Sequence, residues 1–388
     1  MIIPEIKIPL FAKLLLLLLP GLFLSPVYSF ADSASASPVF DSNHYLLEFS
    51  SPVEEWGDGV EAVIEEAYRA CFKTYIIEGR VITVRMPFAE NNERAELIDG
   101  ELIVKGGGKA DAQLLWLEAD QLLGSADFKS YAAILGDGRE KLLTLDLDSR
   151  SWKATRDLFS VARMKADAYP GLPHQPLIYS DGKGIKSSDV YNYLYCVGRL
   201  GMDCSGFVWQ VLSTVAQRSN INLSRALAPS LHAPGPSYAS LYFGTWYFNK
   251  KKREAPDVPD LIRNLKPLDL ILFRGEKGGI VHSTVIQSID RKAGIIRYLQ
   301  STDEAPMDER GVHESFIHFD PENANVSLKD PSLIWTQKRL PPFDGERPSP
   351  FMDDGERYRA FAEYGGGKVV RIKALSGKLK FTYPKKQP

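Results

Sequence analysis

Residues 201–215 read GMDCSGFVWQVLSTV, and the rest of the chain is best understood around this stretch. Phe207, Val208, Val211, Leu212 and Val215 recur at the spacing of one helix face. Asp203 is a good N-cap, which places Cys204 in the first turn. There the unpaired backbone N–H groups and the helix dipole favour an anion and lower a thiol pKa. The Asp203 carboxylate acts in the opposite direction. A cysteine nucleophile at this position needs an imidazole partner, and the imidazole needs a group to orient it.

The chain has six histidines. His44 precedes the first folded segment, His174 lies in a proline-rich stretch, and His232 sits in the irregular APSLHAPGP. His313 and His318 in HESFIH are five positions apart, which is not the four-residue step of a helical HExxH zinc site. His282 stands out. GGIVHSTVIQSIDRKAGIIRYLQST, residues 278–302, reads as strand, short loop and strand. A loop at Ile289 to Ala293 pairs Ile286 with Ile296, Thr284 with Tyr298, and His282 with Gln300. Opposed residues share a face at roughly 5 Å between Cβ atoms. Gln300 is then expected to accept the Nδ1–H of His282 and to turn Nε2 towards the thiol.

In chain order, DCSGFV, KPLDLILF, VHSTVI and YLQST resemble the NlpC/P60 family of papain-like cysteine peptidases over roughly residues 175 to 340. Asp203-Cys204-Ser205-Gly206 matches that family's nucleophile motif, Lys266-Pro267-Leu268-Asp269-Leu270 its KPGDL strand start, and Tyr195-Cys196-Val197-Gly198 its Y-x-W-G segment. The resemblance implies an α+β papain-like domain, a helix bearing the cysteine packed on an antiparallel sheet. It implies a catalytic trio of Cys204, His282 and Gln300, with Tyr195, Asp203 and Ser205 lining the substrate site and no metal or cofactor. The implied activity is cleavage of peptidoglycan stem peptides between γ-D-Glu and the following diamino acid, through a thioester on Cys204. Arg199 and Leu268 stand where the pattern has glycines, and the segment between Cys204 and Pro267 is long. An Arg199 guanidinium beside the site suits a stem-peptide carboxylate. Tyr238, Tyr242 and Trp246, in the aromatic run SYASLYFGTWYF, are candidates to narrow the cleft. Two other classes stay open: a thiol amidase or transacylase on a non-wall amide, and a non-catalytic envelope-binding protein that keeps the fold.

At the N-terminus, residues 1–31 combine two lysines, the apolar run Leu14 to Leu24 and the small-x-small site Ser29-Phe30-Ala31, the pattern of a secretory signal. Export to the periplasm, the cell envelope or the medium is therefore expected. Residues 32–165 read as an accessory α+β domain without a chemical motif, either packed beside the cleft or binding the wall. Within it Val60 to Tyr75 has helical spacing, Tyr75 to Pro87 reads as a strand, and Asp99-Gly100 turns a hairpin. KGGGK at 105–109 lacks the spacing of a phosphate loop. Residues 166–340 form the peptidase-like domain and 341–388 a basic tail, with seven Lys or Arg and no acid from Gly365 onward. That tail is a candidate contact for anionic envelope surfaces. The formal net charge of −2 gives no reason to expect nucleic-acid binding. Three cysteines leave an odd thiol. Cys71 and Cys196 pairing would free Cys204, a Cys196–Cys204 bridge fits the spacing too, and Cys71 also reads as a buried residue on an apolar helix face.

Overall fold

An antiparallel sheet carries the architecture. The computed structural model describes residues 59–89, 96–98, 101–103, 111–146, 151–155, 177–180, 182–302, 310–338, 351–377 and 379–381. The expected signal segment, the first linker, His44, the glycine run at 105–109 and His174 lie outside these. The main strands are β8 (Asp257–Val258), β9 (Leu270–Arg274), β10 (Ile280–Asp290), β11 (Ile295–Thr302), β12 (Gly311–His318), β13 (Ile334–Lys338), β14 (Phe351–Asp353) and β15 (Lys368–Val370). They form one eight-stranded sheet in the order β14-β13-β12-β11-β10-β9-β15-β8. Among the described residues no helix is long and apolar enough to cross a membrane.

The two faces of the sheet follow from its register. Ile286 pairs with Tyr298, Thr284 with Ile271, and His282 with Phe273. Ile296 pairs with Ile317, and Ile317 with Trp335. Opposed residues share a face, so Ile271, Phe273, Ile286, Ile296, Tyr298, Ile317 and Trp335 form one continuous apolar layer, capped by Phe361. Phe361 belongs to α7 (Gly355–Ala362). On the opposite face Arg297 reaches Glu65, which lies on α1 (Val60–Arg69). That helix packs on α5 (Cys204–Arg218), which in turn lies against β10 and β11. Helix α6 (Leu223–Leu231) follows α5, with its first turn capped by the Asn222 side chain.

The N-terminal elements belong to the same unit. Ser51–Pro388 is one compact body, and pairing crosses the boundary expected near residue 165. Strand β5 (Lys141–Asp146) pairs with β6 (Ser151–Thr155) on one side and with β7 (Leu177–Ser180) on the other. The expected single strand from Tyr75 to Pro87 is a hairpin of β1 (Phe72–Ile77) and β2 (Arg80–Arg85). Its turn residues Glu78 and Gly79 both have positive φ, the combination a two-residue turn requires and the reason the run breaks there. The hairpin at Asp99-Gly100 joins β3 (Glu96–Ile98) to β4 (Glu101–Ile103), with Ile98 opposite Glu101. Helices α2 (Ala112–Leu123) and α3 (Ala126–Leu135) are capped by the Asp111 and Ser125 side chains. Helix α4 (Ser187–Asn192) runs into a π-helical turn at Tyr193–Val197.

Residues 351–375 correct the expectation of a basic tail. Strand β15 lies inside the sheet between β9 and β8, and α7 packs on β9 and β13. Arg371 makes two hydrogen bonds to the Asp269 carboxylate, at 2.6 and 2.7 Å, and Lys368 pairs with Asp257 at 3.2 Å. Arg371 thus neutralises a buried carboxylate and Lys368 an exposed one, so these two charges are bound within the fold. Asp269 also accepts the Lys266 N–H, fixing the turn into β9.

Candidate functional site

Cys204 opens α5. Asp203 is its N-cap, with a carboxylate that accepts from the Gly206 N–H and the Ser205 hydroxyl. Asp203 and Ser205 are buried, and their polar groups hold the helix start together. The expectation that they line substrate subsites is set against this burial: both are engaged in capping the helix that Cys204 opens. The preceding Met202 is anchored twice. Its carbonyl accepts from Ser301 Oγ at 2.6 Å, and its N–H donates to the Pro87 carbonyl at 2.8 Å. Gly201 is glycine for a reason: an added Cβ would come within 2.5 Å of that same Pro87 oxygen. The segment after β2 thus lies directly against the entry to the cysteine helix.

His282 and Gln300 meet as the sequence suggests, but by a different route. The β10–β11 register is shifted by two residues from the expected one: the turn pairs Asp290 with Ile295, three residues off, and a bulge between Ile286 and Ser288 brings it back by one. A two-residue shift preserves the face, so the side chains still meet diagonally, with Nε2 and Oε1 2.7 Å apart. Gln300 in turn donates to Ser315 Oγ at 2.8 Å, which commits its amide oxygen to the histidine. An amide oxygen only accepts. His282 therefore carries its proton on Nε2, and Nδ1 is the basic nitrogen, the reverse of the expected assignment. Gln300→Leu is expected to strand a buried N–H at about 1–3 kcal/mol of stability. With His282 as the base that the resemblance implies, turnover should also fall about tenfold to a hundredfold. Urea unfolding and steady-state rates check the two effects separately.

The thiol meets the sheet on its other face: Ser283 and Ser301, which touch Cys204 and Met202, alternate with His282 and Gln300 along β10 and β11, so the helix start and the His282–Gln300 pair lie on opposite faces. Pairing between β10 and β11 begins only at Val285–Leu299. Ser283, one residue after His282, turns its backbone N–H to Cys204, and its hydroxyl lies close enough to favour the sulfur anion. That hydroxyl has no conventional hydrogen-bond partner among the described residues. Sγ and the His282 imidazole are not hydrogen-bonded to each other.

Electrostatics correct the expectation of a low thiol pKa. Burial and then the adjacent Asp203 carboxylate push the Cys204 thiol up to about 12, against the pull of Ser283 and Arg357. Burial, followed by the Arg357 cation, holds His282 well below its ordinary range, and the Gln300 bond only partly offsets this. Both groups are uncharged at neutral pH. Alkylation of Cys204 by iodoacetamide should accordingly rise about tenfold per pH unit from about pH 7 to 9, following the thiolate fraction. A rate already level at neutral pH would indicate a preformed thiolate–imidazolium pair instead. Alkylated peptides resolved by mass spectrometry make the measurement specific to this thiol.

The other expected site residues are dispersed. Tyr195 lies in the π-helical turn and stacks on Tyr191 at 6.1 Å. Arg199 is exposed and left-handed, with φ 48°, which accounts for the glycine usual there. Leu268 is likewise left-handed, at φ 76°. Trp246 is 48% exposed on a 3-10 turn that packs against β10, and Tyr238 is also exposed. Phe243, Tyr247 and Phe248 of the same run are buried beside Trp209 and form a satellite core. All three cysteines are free, so neither pairing forms. Cys71 is buried at the end of α1, as its apolar face suggests. His313 is tied to Arg85 Nη1 at 2.7 Å and to the Gly311 carbonyl. Among the described residues no three His, Cys, Asp or Glu side chains gather as metal ligands.

Sequence reasoning missed Arg357. It is buried at 2% exposure, and its Nη2 donates to Thr302 from the far end of the chain. Nothing in the local run DGERYRAF distinguishes it from the exposed Arg359. Comparison of the chain with protein-family models, with curated proteins and with solved structures found no match.

Proposed function

We propose that this chain is a cysteine-nucleophile amide hydrolase, of the papain-like kind that its motifs resemble, acting on peptidoglycan stem peptides in the cell envelope. Two observations support the reading: the His282–Gln300–Ser315 hydrogen-bond chain, with its basic nitrogen fixed, and a cysteine in the first turn of a capped helix that touches Ser283, the chain neighbour of His282.

In the reaction, His282 Nδ1 takes the thiol proton as Sγ attacks the amide carbonyl carbon. The C–S bond forms and the carbonyl π pair moves to oxygen. The imidazolium then delivers its proton to the leaving amine as the C–N bond breaks, and water repeats the cycle on the thioester. The Cys204 N–H, at the helix N-terminus, is placed to receive the oxyanion. For this step the end of β10 must rearrange, because His282 and Ser283, the residue that touches Cys204, face opposite sides of the sheet. The preferred bond is that between γ-D-Glu and the diamino acid, on the strength of the resemblance alone.

The test incubates the protein and its Cys204→Ala variant with intact peptidoglycan and with free muropeptides, reading products by mass spectrometry. Cysteine-dependent loss of the residues beyond D-Glu is expected. A buried, un-ionised thiol favours a second reading, a non-catalytic envelope-binding protein. Binding of muropeptides without any product, by parent and variant alike, would establish that one instead.

A further inference from the structure

A cavity of about 620 Å³ lies where the start of α1, the turn into β9 and residues 371–381 converge. That size suits a small-molecule ligand. His282 pairs with Phe273, near the other end of β9, so the cavity is separate from the His282–Gln300 pair. Much of its wall is apolar, formed by Leu268, Ile372, Leu375, Leu379 and Phe381. Leu268 is there against a local preference. The Asp269 N–H donates to the Lys266 carbonyl at 3.1 Å, closing a turn with Pro267 second and Leu268 third. The third position has φ 76°, a backbone geometry that glycine or asparagine adopts easily and a branched side chain does not. The turn thus sets an apolar side chain into the cavity wall where glycine would be easiest, and departures of this kind concentrate at binding sites.

The charged groups of the lining are mostly cations. Arg371 is held through Nε and Nη2, by Asp269 and by the Asn264 carbonyl at 3.0 Å, which leaves Nη1 without a partner among the described residues. Lys266 and Lys380 also line the cavity; both are exposed and form no ion pair among the described residues. Glu61 is the acid of the lining. Its carboxylate folds back to the start of α1, 3.0 Å from where a Cβ on Gly59 would stand, so the helix start is already served. Three cations therefore face Asp269 and Glu61, an excess of one positive charge.

We propose that this cavity is a second binding site, for a single-chain carboxylate such as a medium-chain fatty acid. The head meets Arg371 Nη1 and the two lysines, and the chain lies on Leu268, Leu375 and Phe381. An excess of one charge suits one carboxylate better than a polyphosphate. No residue of the thiol site takes part, so the site stands whether or not the chain is a hydrolase.

Calorimetric titration of the full chain with decanoate tests this. One saturable site is expected, weakened by added salt because partly exposed charges hold the head. Acetate, the head without the chain, should bind about tenfold more weakly or less, and so should decyltrimethylammonium, the chain with the opposite charge. The double variant Lys266→Gln, Lys380→Gln should lose about tenfold in decanoate affinity, the scale of two exposed pairs with a carboxylate. Leu268→Gly suits the backbone but removes part of the wall, and should weaken decanoate binding several-fold. Thermal unfolding shows that each variant is folded. Should Leu268→Gly not fold, the lysine variant decides alone, both of its changes being at exposed positions. Absence of saturable decanoate binding by the parent, equal affinity for decanoate and decyltrimethylammonium, or parental affinity in the folded lysine variant overturns the proposal.

Discussion

Cys204→Ala is expected to lose amide hydrolysis by about a thousandfold or more, and His282→Ala by a similar factor. A nucleophile and its base act as one unit, so removing either removes the covalent route. The double variant should therefore be no slower than the slower single one. This non-additivity is the informative part, because two residues that merely support the fold would lower activity by multiplying factors. Cys204→Ala should fold normally, since it exchanges one small buried side chain for another. His282→Ala leaves the Gln300 amide oxygen without its donor and should lose about 1–3 kcal/mol of stability as well. Rates on the same muropeptide mixture, with urea unfolding as control, separate the two contributions.

Arg297→Ala should destabilise the protein by about 3–5 kcal/mol, more than any of the other single changes proposed. Arg297 is buried at 4% exposure between two carboxylates, Glu65 at 2.7 Å and Glu314 at 2.6 Å. Both acids are themselves buried, and Lys338 is the further cation on Glu314, at 3.0 Å. Removing the guanidinium leaves two buried carboxylates with one cation each, Arg69 on Glu65 at 2.9 Å and Lys338 on Glu314. Glu65 belongs to α1, Arg297 to β11 and Glu314 to β12, so the N-terminal helix should loosen first. Arg297 also lies over the Tyr68 ring, with 5.4 Å from the guanidinium carbon to the ring centre, and the alanine would no longer pack there. Arg297→Lys keeps one charge but not the two-sided fork, and should lie between parent and Ala. Chemical denaturation at neutral pH measures all three. An Ala variant within about 1 kcal/mol of the parent, in the same urea series, would show that the buried triad contributes little.

How far the molecule could be read from its sequence depends on whether the signal was local. The cysteine helix was legible because its face, cap and cysteine lie close together in the chain, and the helix occupies Cys204–Arg218 as its spacing suggests. The His282–Gln300 meeting was legible for a subtler reason. Strand side chains alternate with period two, so a register misread by two residues still put both on one face. The bulge after Ile286 was invisible, because nothing in VIQSID marks which residue is extra. The histidine tautomer was misassigned because it depends on Ser315, a residue on the next strand that fixes which way the Gln300 amide points. Thiol ionisation was misjudged for lack of burial, a quantity no local pattern carries. Residues 351–375 gave the largest difference. Their charges suggested a solvated tail, yet Arg357 and Arg371 pair with Thr302 and Asp269, 55 and 102 positions away in the chain. Long-range pairing of this kind leaves no trace in composition.

Whether Cys204 attacks an amide with His282 as its base is decided by looking for the acyl-enzyme. The full chain would be mixed with muropeptides, quenched in acid within a turnover, and digested for mass spectrometry. An acyl adduct is expected on the peptide carrying Cys204, absent when Cys204 is alanine and slow to form when His282 is alanine. Cleavage that proceeds undiminished in Cys204→Ala, with no adduct on the parent, would contradict that role for the thiol.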